Sequence, residues 1–102
     1  MDRIEALTAL LAQDPRNSFA RYGLAQSLAT ASRFDEAMAA YRQLLAADAD
    51  YVAAYFHGGQ TLEKMGLLDD ARALYEEGIT ACTRKGDMHT RSEIQTALDI
   101  LG

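Results

Sequence analysis

The chain has 102 residues, 49% hydrophobic and 25% charged, with one proline and one cysteine; this is the composition of one small folded domain and not of a disordered segment. A formal net charge of −5 and ten scattered Lys and Arg residues repel phosphate, which argues against nucleic acid or an anionic membrane as a partner. The lone Cys82 leaves no intramolecular disulfide, no apolar stretch approaches the roughly 18 residues of a membrane span, and the N-terminus lacks a secretion signal, so the expected location is cytoplasmic.

Apolar residues recur at helical and not alternating spacing, which predicts an all-α fold of about five helices joined by short turns. Residues 2–13 carry Ile4, Leu7, Leu10 and Leu11 on one face, and Asp14-Pro15 ends that helix because Pro disfavours helical geometry in the residue before it. Asn17 is placed to cap a helix reaching about Thr30, and after the turn at 31–34 Asp35 is placed as the N-cap of a helix reaching about Ala47. A helix over 51–64, a break at Gly66, an N-cap at Asp69 and a long helix to about Lys85 follow, with Arg84 and Lys85 complementing the negative end of the dipole. Beyond Gly86, Asp87 is placed to cap a final helix in which Ile94, Ala97, Leu98 and Leu101 form one apolar stripe.

These elements repeat at an interval of 34 residues. Residues 18–51 and 52–85 agree at Ala20/Ala54, Gln26/Gln60, Leu28/Leu62, Asp35/Asp69, Ala37/Ala71, Ala39/Ala73, Tyr41/Tyr75 and Ala47/Ala81, and Leu10 and Leu11 fall on Leu44 and Leu45 at the same shift. A fixed period of this length signals a stacked array. The expected organisation is a single domain with a half repeat at 1–17, repeats at 18–51 and 52–85, and a capping helix at 86–102. Ala25, Gly59, Ala37 and Ala71 lack bulk, so paired helices are expected to approach closely enough for Tyr41 and Tyr75 to wedge between them, and these four positions should resist enlargement.

The pattern resembles the tetratricopeptide repeat in its small, bacterial-type form, a family of antiparallel helix hairpins stacked into a right-handed superhelix. The resemblance is carried by Leu24-Ala25 with Leu28, by Tyr55 with Gly58-Gly59 and Leu62, and by Phe34, Ala37, Tyr41 and Leu44-Leu45 set against Leu68, Ala71, Tyr75 and Ile79. The departures are Arg21 in place of an aromatic, Gly58 in place of Leu, and Ala49 and Thr83 where the family ends a repeat with Pro; the missing prolines allow the helix through Ile79–Arg84 to continue further.

The family binds peptide segments in a concave groove lined by the first helix of each repeat. Projected onto this chain, the resemblance implies a groove of Phe19, Tyr22, Gln26 and Thr30 from the first repeat and Ala53, Phe56, Gln60, Glu63 and Lys64 from the second. Phe19, Tyr22 and Phe56 would bury apolar ligand side chains and Gln26 and Gln60 would bond a peptide backbone, unless these aromatics only fill the crevices between helices. A subclass of the family clamps chaperone carboxylates with cations; the corresponding places read Tyr22, Gln26, His57, Asp87 and Arg91, in which Asp87 opposes an anion. No nucleophile–base pair, zinc-type spacing or phosphate cradle is present, and no cofactor or metal is expected. The expected function is therefore a non-catalytic scaffold for a protein or peptide partner. The alternatives are homodimerisation through the exposed half-repeat edge and, more weakly, service as a regulatory subunit of an enzyme.

Overall fold

The computed structural model describes all 102 residues and contains six α-helices and no strand: α1 (Arg3–Gln13), α2 (Ser18–Thr30), α3 (Phe34–Ala47), α4 (Ala53–Lys64), α5 (Leu68–Lys85) and α6 (Met88–Leu101). The count is six and not about five, since each segment read as helical from the sequence, 2–13 included, forms its own helix; α1 is opened by Asp2, whose carboxylate accepts the Glu5 amide at 2.8 Å, and seated through buried Leu11. Asn17 and Asp87 cap α2 and α6 as their side-chain chemistry predicts, accepting the amides of Ala20 at 2.9 Å and Thr90 at 3.0 Å. Asp35 and Asp69 do not cap. They stand at the second helical position, after Arg33 and Leu67, whose carbonyls accept the amides of Ala37 and Ala71. There the carboxylates still complement the positive end of the dipole.

The turns that close α2 and α4 are built alike, 34 residues apart. Ser32 and Gly66 both adopt positive φ, 60° and 77°, and the next amide in each case reaches back to bond a carbonyl, Arg33 to Leu28 and Leu67 to Leu62. This left-handed reversal satisfies the last carbonyls of each helix and sends the chain back along it. The result is two antiparallel hairpins, α2/α3 and α4/α5, with α1 packed on α2 and α6 packed on α5.

One core cluster runs through the whole stack, from Ala25 and Leu28 to Cys82 and Ile94. Tyr41 and Tyr75 are its largest fully buried side chains, and Ala25, Ala37 and Ala71 are wholly buried in the same cluster. The requirement for small residues is strictest at Gly59, where an added Cβ would lie 2.1 Å from Tyr75 Cε1. Gly58 is less tight, its nearest neighbour being the Leu74 Cδ2 methyl at 2.9 Å, and Gly78 admits Tyr55 and Ile94 in the same way. Burying side chains of this size contributes about 1.5–3 kcal/mol apiece.

The departure at Arg21 is resolved by a hydrogen bond. Its Nη2 donates to the Pro15 carbonyl at 2.8 Å, and at the equivalent place 34 residues on, the Tyr55 hydroxyl donates to the Ala49 carbonyl at 2.8 Å. Arg84 also reaches this turn, pairing with Asp50 at 2.6 Å in addition to standing in the last turn of α5. Without a proline, α5 continues to Lys85, past Ala81, the equivalent of the last residue of α3, and ends at Gly86 with φ 82°. No helix is long and apolar enough to cross a membrane.

Candidate peptide-binding groove

Because each hairpin stacks on the next, α2, α4 and α6 come to lie side by side, with α4 touching both of the others. Two sets of crevices separate them. Between α2 and α4 a cleft of about 130 Å³ is lined by Gln26, Ala29, Thr30, Tyr41, His57, Thr61 and Lys64. Between α4 and α6, a cleft of about 250 Å³ holds Phe56, Gln60, Glu63, Glu93, Thr96, Ala97 and Ile100, and a neighbouring one of about 300 Å³ holds Phe56, His89, Ser92, Glu93 and Thr96.

Of the residues predicted from sequence, Gln26, Thr30 and Lys64 line the first cleft and Phe56, Gln60 and Glu63 the second. Tyr22 instead fills the space between helices. Its ring lies 5.1 Å from Tyr51, 5.8 Å from His57 and 6.4 Å from Tyr41, and its hydroxyl accepts a bond from Gln26 Nε2 at 3.1 Å. That is the crevice-filling role weighed for the aromatics, and the bond to Tyr22 uses the Gln26 amide nitrogen and not its oxygen. Phe19 is 78% exposed at the start of α2 and lines neither cleft, and Ala53 is half-buried at the start of α4, also outside both.

The wall contributed by α6 was not predicted. His89, Ser92, Glu93, Thr96 and Ile100 recur at helical spacing along one side of α6, apart from the stripe that packs inward through Ile94, and Ile100 is 79% exposed. The signal was present as a second, mostly polar stripe, but the break in the 34-residue match at α6 hid its equivalence to α2 and α4.

Electrostatically the groove divides. In the first cleft the half-buried His57 imidazole has its pKa lowered by burial, with Glu93 and the Gln60 side chain pulling weakly the other way. Lys64 supplies the only lysine or arginine charge there. The second is acidic, lined by Glu63 and Glu93 with no lysine or arginine. Glu63 accepts a hydrogen bond from Tyr75, whose hydroxyl pKa is raised by burial and then by that carboxylate. At the clamp positions Arg91 turns to Thr83 Oγ1 at 3.1 Å, and Asp87 is held by the Thr90 amide, which lowers its pKa.

A stack of antiparallel helix hairpins with small residues at the crossings and an open face along alternate helices defines the helical-repeat solenoids. The tetratricopeptide-repeat model matches residues 4–52 and 31–84, and the chain belongs to that family, a scaffold fold for protein–protein interaction. A tetratricopeptide repeat domain protein from Salinibacter ruber is 33% identical over 85% of this chain and 88% of its own, with a TM-score of 0.81. A protein from Bordetella parapertussis is 33% identical over 99% of this chain and 88% of its own, with a TM-score of 0.86. The fold is also similar, at 15% identity and a TM-score of 0.89 over 96% of this chain and 74% of the other, to PcrH, solved in complex with the chaperone binding region of PopD. No curated protein sequence matches the chain.

Proposed function

We propose that this protein is a non-catalytic scaffold that binds a peptide segment of a partner protein along the face formed by α2, α4 and α6. The observation that carries the reading is the placement of Phe56, half-buried between two clefts with the 79% exposed Ile100 across from it. An aromatic and an aliphatic side chain flanking an open cleft offer an apolar anchor site, and Gln26 and Gln60 offer amides to a backbone passing over it. The similarity to PcrH, which was solved with a segment of another protein, supports the capacity of this fold for such a ligand. Peptides selected from a random-sequence display library against the intact protein should lose affinity for a Phe56→Ala variant that retains its helical circular dichroism. Unchanged affinity would remove the groove from the reading.

A second reading is self-association through α1, on the observation that Leu10 is 43% exposed on a helix packed on only one neighbour. Sedimentation equilibrium should then show a dimer that Leu10→Lys dissociates; a monomer at all concentrations would remove it.

A further inference from the structure

The chemistry of the cleft between α4 and α6 narrows the kind of peptide it can hold. Phe56, Ala97 and Ile100 give it apolar surface, and Glu63 from α4 and Glu93 from α6 bring two carboxylates to the same space. No lysine or arginine lines it or the adjoining cleft around His89. The groups that touch these carboxylates do not neutralise them. Glu63 accepts from the Tyr75 hydroxyl, which fixes its position but carries no positive charge. Glu93 has His89 Nε2 at 3.6 Å, on an imidazole that is 90% exposed and charged only when protonated, and it also acts on His57, whose pKa burial lowers. An acidic or carboxyl-terminal ligand would thus meet two like charges with no lysine or arginine beside them, while an apolar side chain alone would leave them facing it without a counter-charge.

From this we infer that the α4/α6 cleft recognises an arginine or lysine of the partner peptide, with the aliphatic stem on Phe56, Ala97 and Ile100 and the cationic head beside Glu63 and Glu93. The inference rests on the groove reading above and adds the identity of its anchor. A long basic side chain matches both halves of the site, because its methylene stem covers apolar surface while its head stays with the carboxylates. The Phe56 ring adds a face to which a cation is attracted. The neighbouring α2/α4 cleft has the opposite character, with Lys64 and the burial-neutralised His57. The peptide therefore binds with its basic residue at α6 and with neutral or acidic residues toward α2.

The test is selection from a random-sequence peptide display library against the intact protein, followed by titration of the selected peptides against Phe56→Ala and against the double variant Glu63→Gln, Glu93→Gln. Glutamine at position 63 keeps an acceptor for Tyr75, and circular dichroism establishes that each variant is folded. The expected result is enrichment of Arg and Lys, affinity lost with Phe56→Ala, and a drop of about tenfold or more in the double glutamine variant, the scale of one or two charge-assisted hydrogen bonds. Added salt should weaken the intact protein more than that variant. Peptides that depend on Phe56 but show neither enrichment nor sensitivity to the glutamines would overturn the inference and leave the groove standing. Peptides indifferent to Phe56, or no peptides at all, would overturn both.

Discussion

Gly59 and Tyr75 occupy each other's space so closely that a single added carbon on Gly59 would fall 2.1 Å from the Tyr75 ring. Since that ring is wholly buried, it cannot swing aside. Gly59→Ala would gain roughly 1 kcal/mol of helix propensity, yet should destabilise the protein by about 2 kcal/mol or more through overpacking. The contrast is Gly58→Ala, where the neighbour is the terminal Leu74 Cδ2 methyl at 2.9 Å, which a small side-chain rotation moves; that change should stay within about 1 kcal/mol of neutral. Urea denaturation of the two variants, with unchanged slopes, measures the difference.

The two left-handed turns give a second expectation. Ser32 holds φ 60° without being glycine, whereas its equivalent Gly66 takes φ 77° freely. Ser32→Gly should stabilise by about 0.5–1 kcal/mol, the left-handed penalty less the added entropy of the unfolded chain, and Gly66→Ala should cost about 1 kcal/mol. Shifts of melting temperature in opposite directions are the predicted signature, and a lower melting temperature for Ser32→Gly would contradict it.

His57 sets an acid limit on stability. Burial against Tyr22 and Phe56 lowers its pKa below the ordinary 6.5, so between those values the unfolded chain binds a proton that the folded one refuses. The stability associated with neutral His57 is therefore complete above about pH 6.5 and is lost as the pH falls through the depressed folded value. Chemical denaturation from pH 7.5 to pH 5, on the order of the window set by that shift, should show a decline in the natural protein that His57→Gln lacks. The Asp87 cap acts lower, its pKa held below 3.8 by the Thr90 amide.

Cys82 should be chemically silent in the folded state. It is wholly buried, and burial raises its thiol pKa, which leaves little of the reactive thiolate at neutral pH. A thiol-specific chromogenic reagent should react in denaturant at the rate of a free thiol and in buffer only as fast as the domain opens. Immediate stoichiometric labelling in buffer would disprove the packing around Ile94 and α6.

Removing the hydroxyl of Tyr55 leaves the Ala49 carbonyl only the longer Arg84 Nη2 contact at 3.4 Å, and shortening Arg21 takes from the Pro15 carbonyl its Nη2 donor. Tyr55→Phe should cost about 1 kcal/mol, the net worth of one hydrogen bond, and Arg21→Ala about 1 kcal/mol or more, since Arg21 Nη1 also donates to Gln43 Oε1 at 3.1 Å; Arg21→Tyr should recover the part owed to Pro15. Equilibrium unfolding of the three variants tests whether the two positions are interchangeable.

Much of the architecture was legible because close helix crossing demands small side chains. Ala37, Ala71, Gly59, Tyr41 and Tyr75 announce it through their 34-residue period, and Asn17, Asp87 and Gly66 mark ends by local chemistry alone. Asp35 and Asp69 misled because an acid near a helix start suits both the cap and the first turn; what decides is the preceding reversal, which delivers Phe34 and Leu68 directly into helix. The groove was only half legible. Phe56, Gln60 and Glu63 follow from the period, but α6, which starts as far after α4 as α4 starts after α2, no longer repeats their residue types, so Glu93 and Ile100 had no counterparts to mark them. Tyr22 was visible as an aromatic, while its engagement by Tyr51 and His57 depends on a loop and a neighbouring helix.

The exchange of Arg21 for Tyr55 shows what one copy of a repeat hands down to the next. It is an obligation and not a letter: a carbonyl in the preceding turn needs a donor, and any side chain with the reach can discharge it. Divergence can then cross between a guanidinium and a phenol while the architecture stays put. Comparison by residue type would score a mismatch at a place where the molecule keeps the same bond.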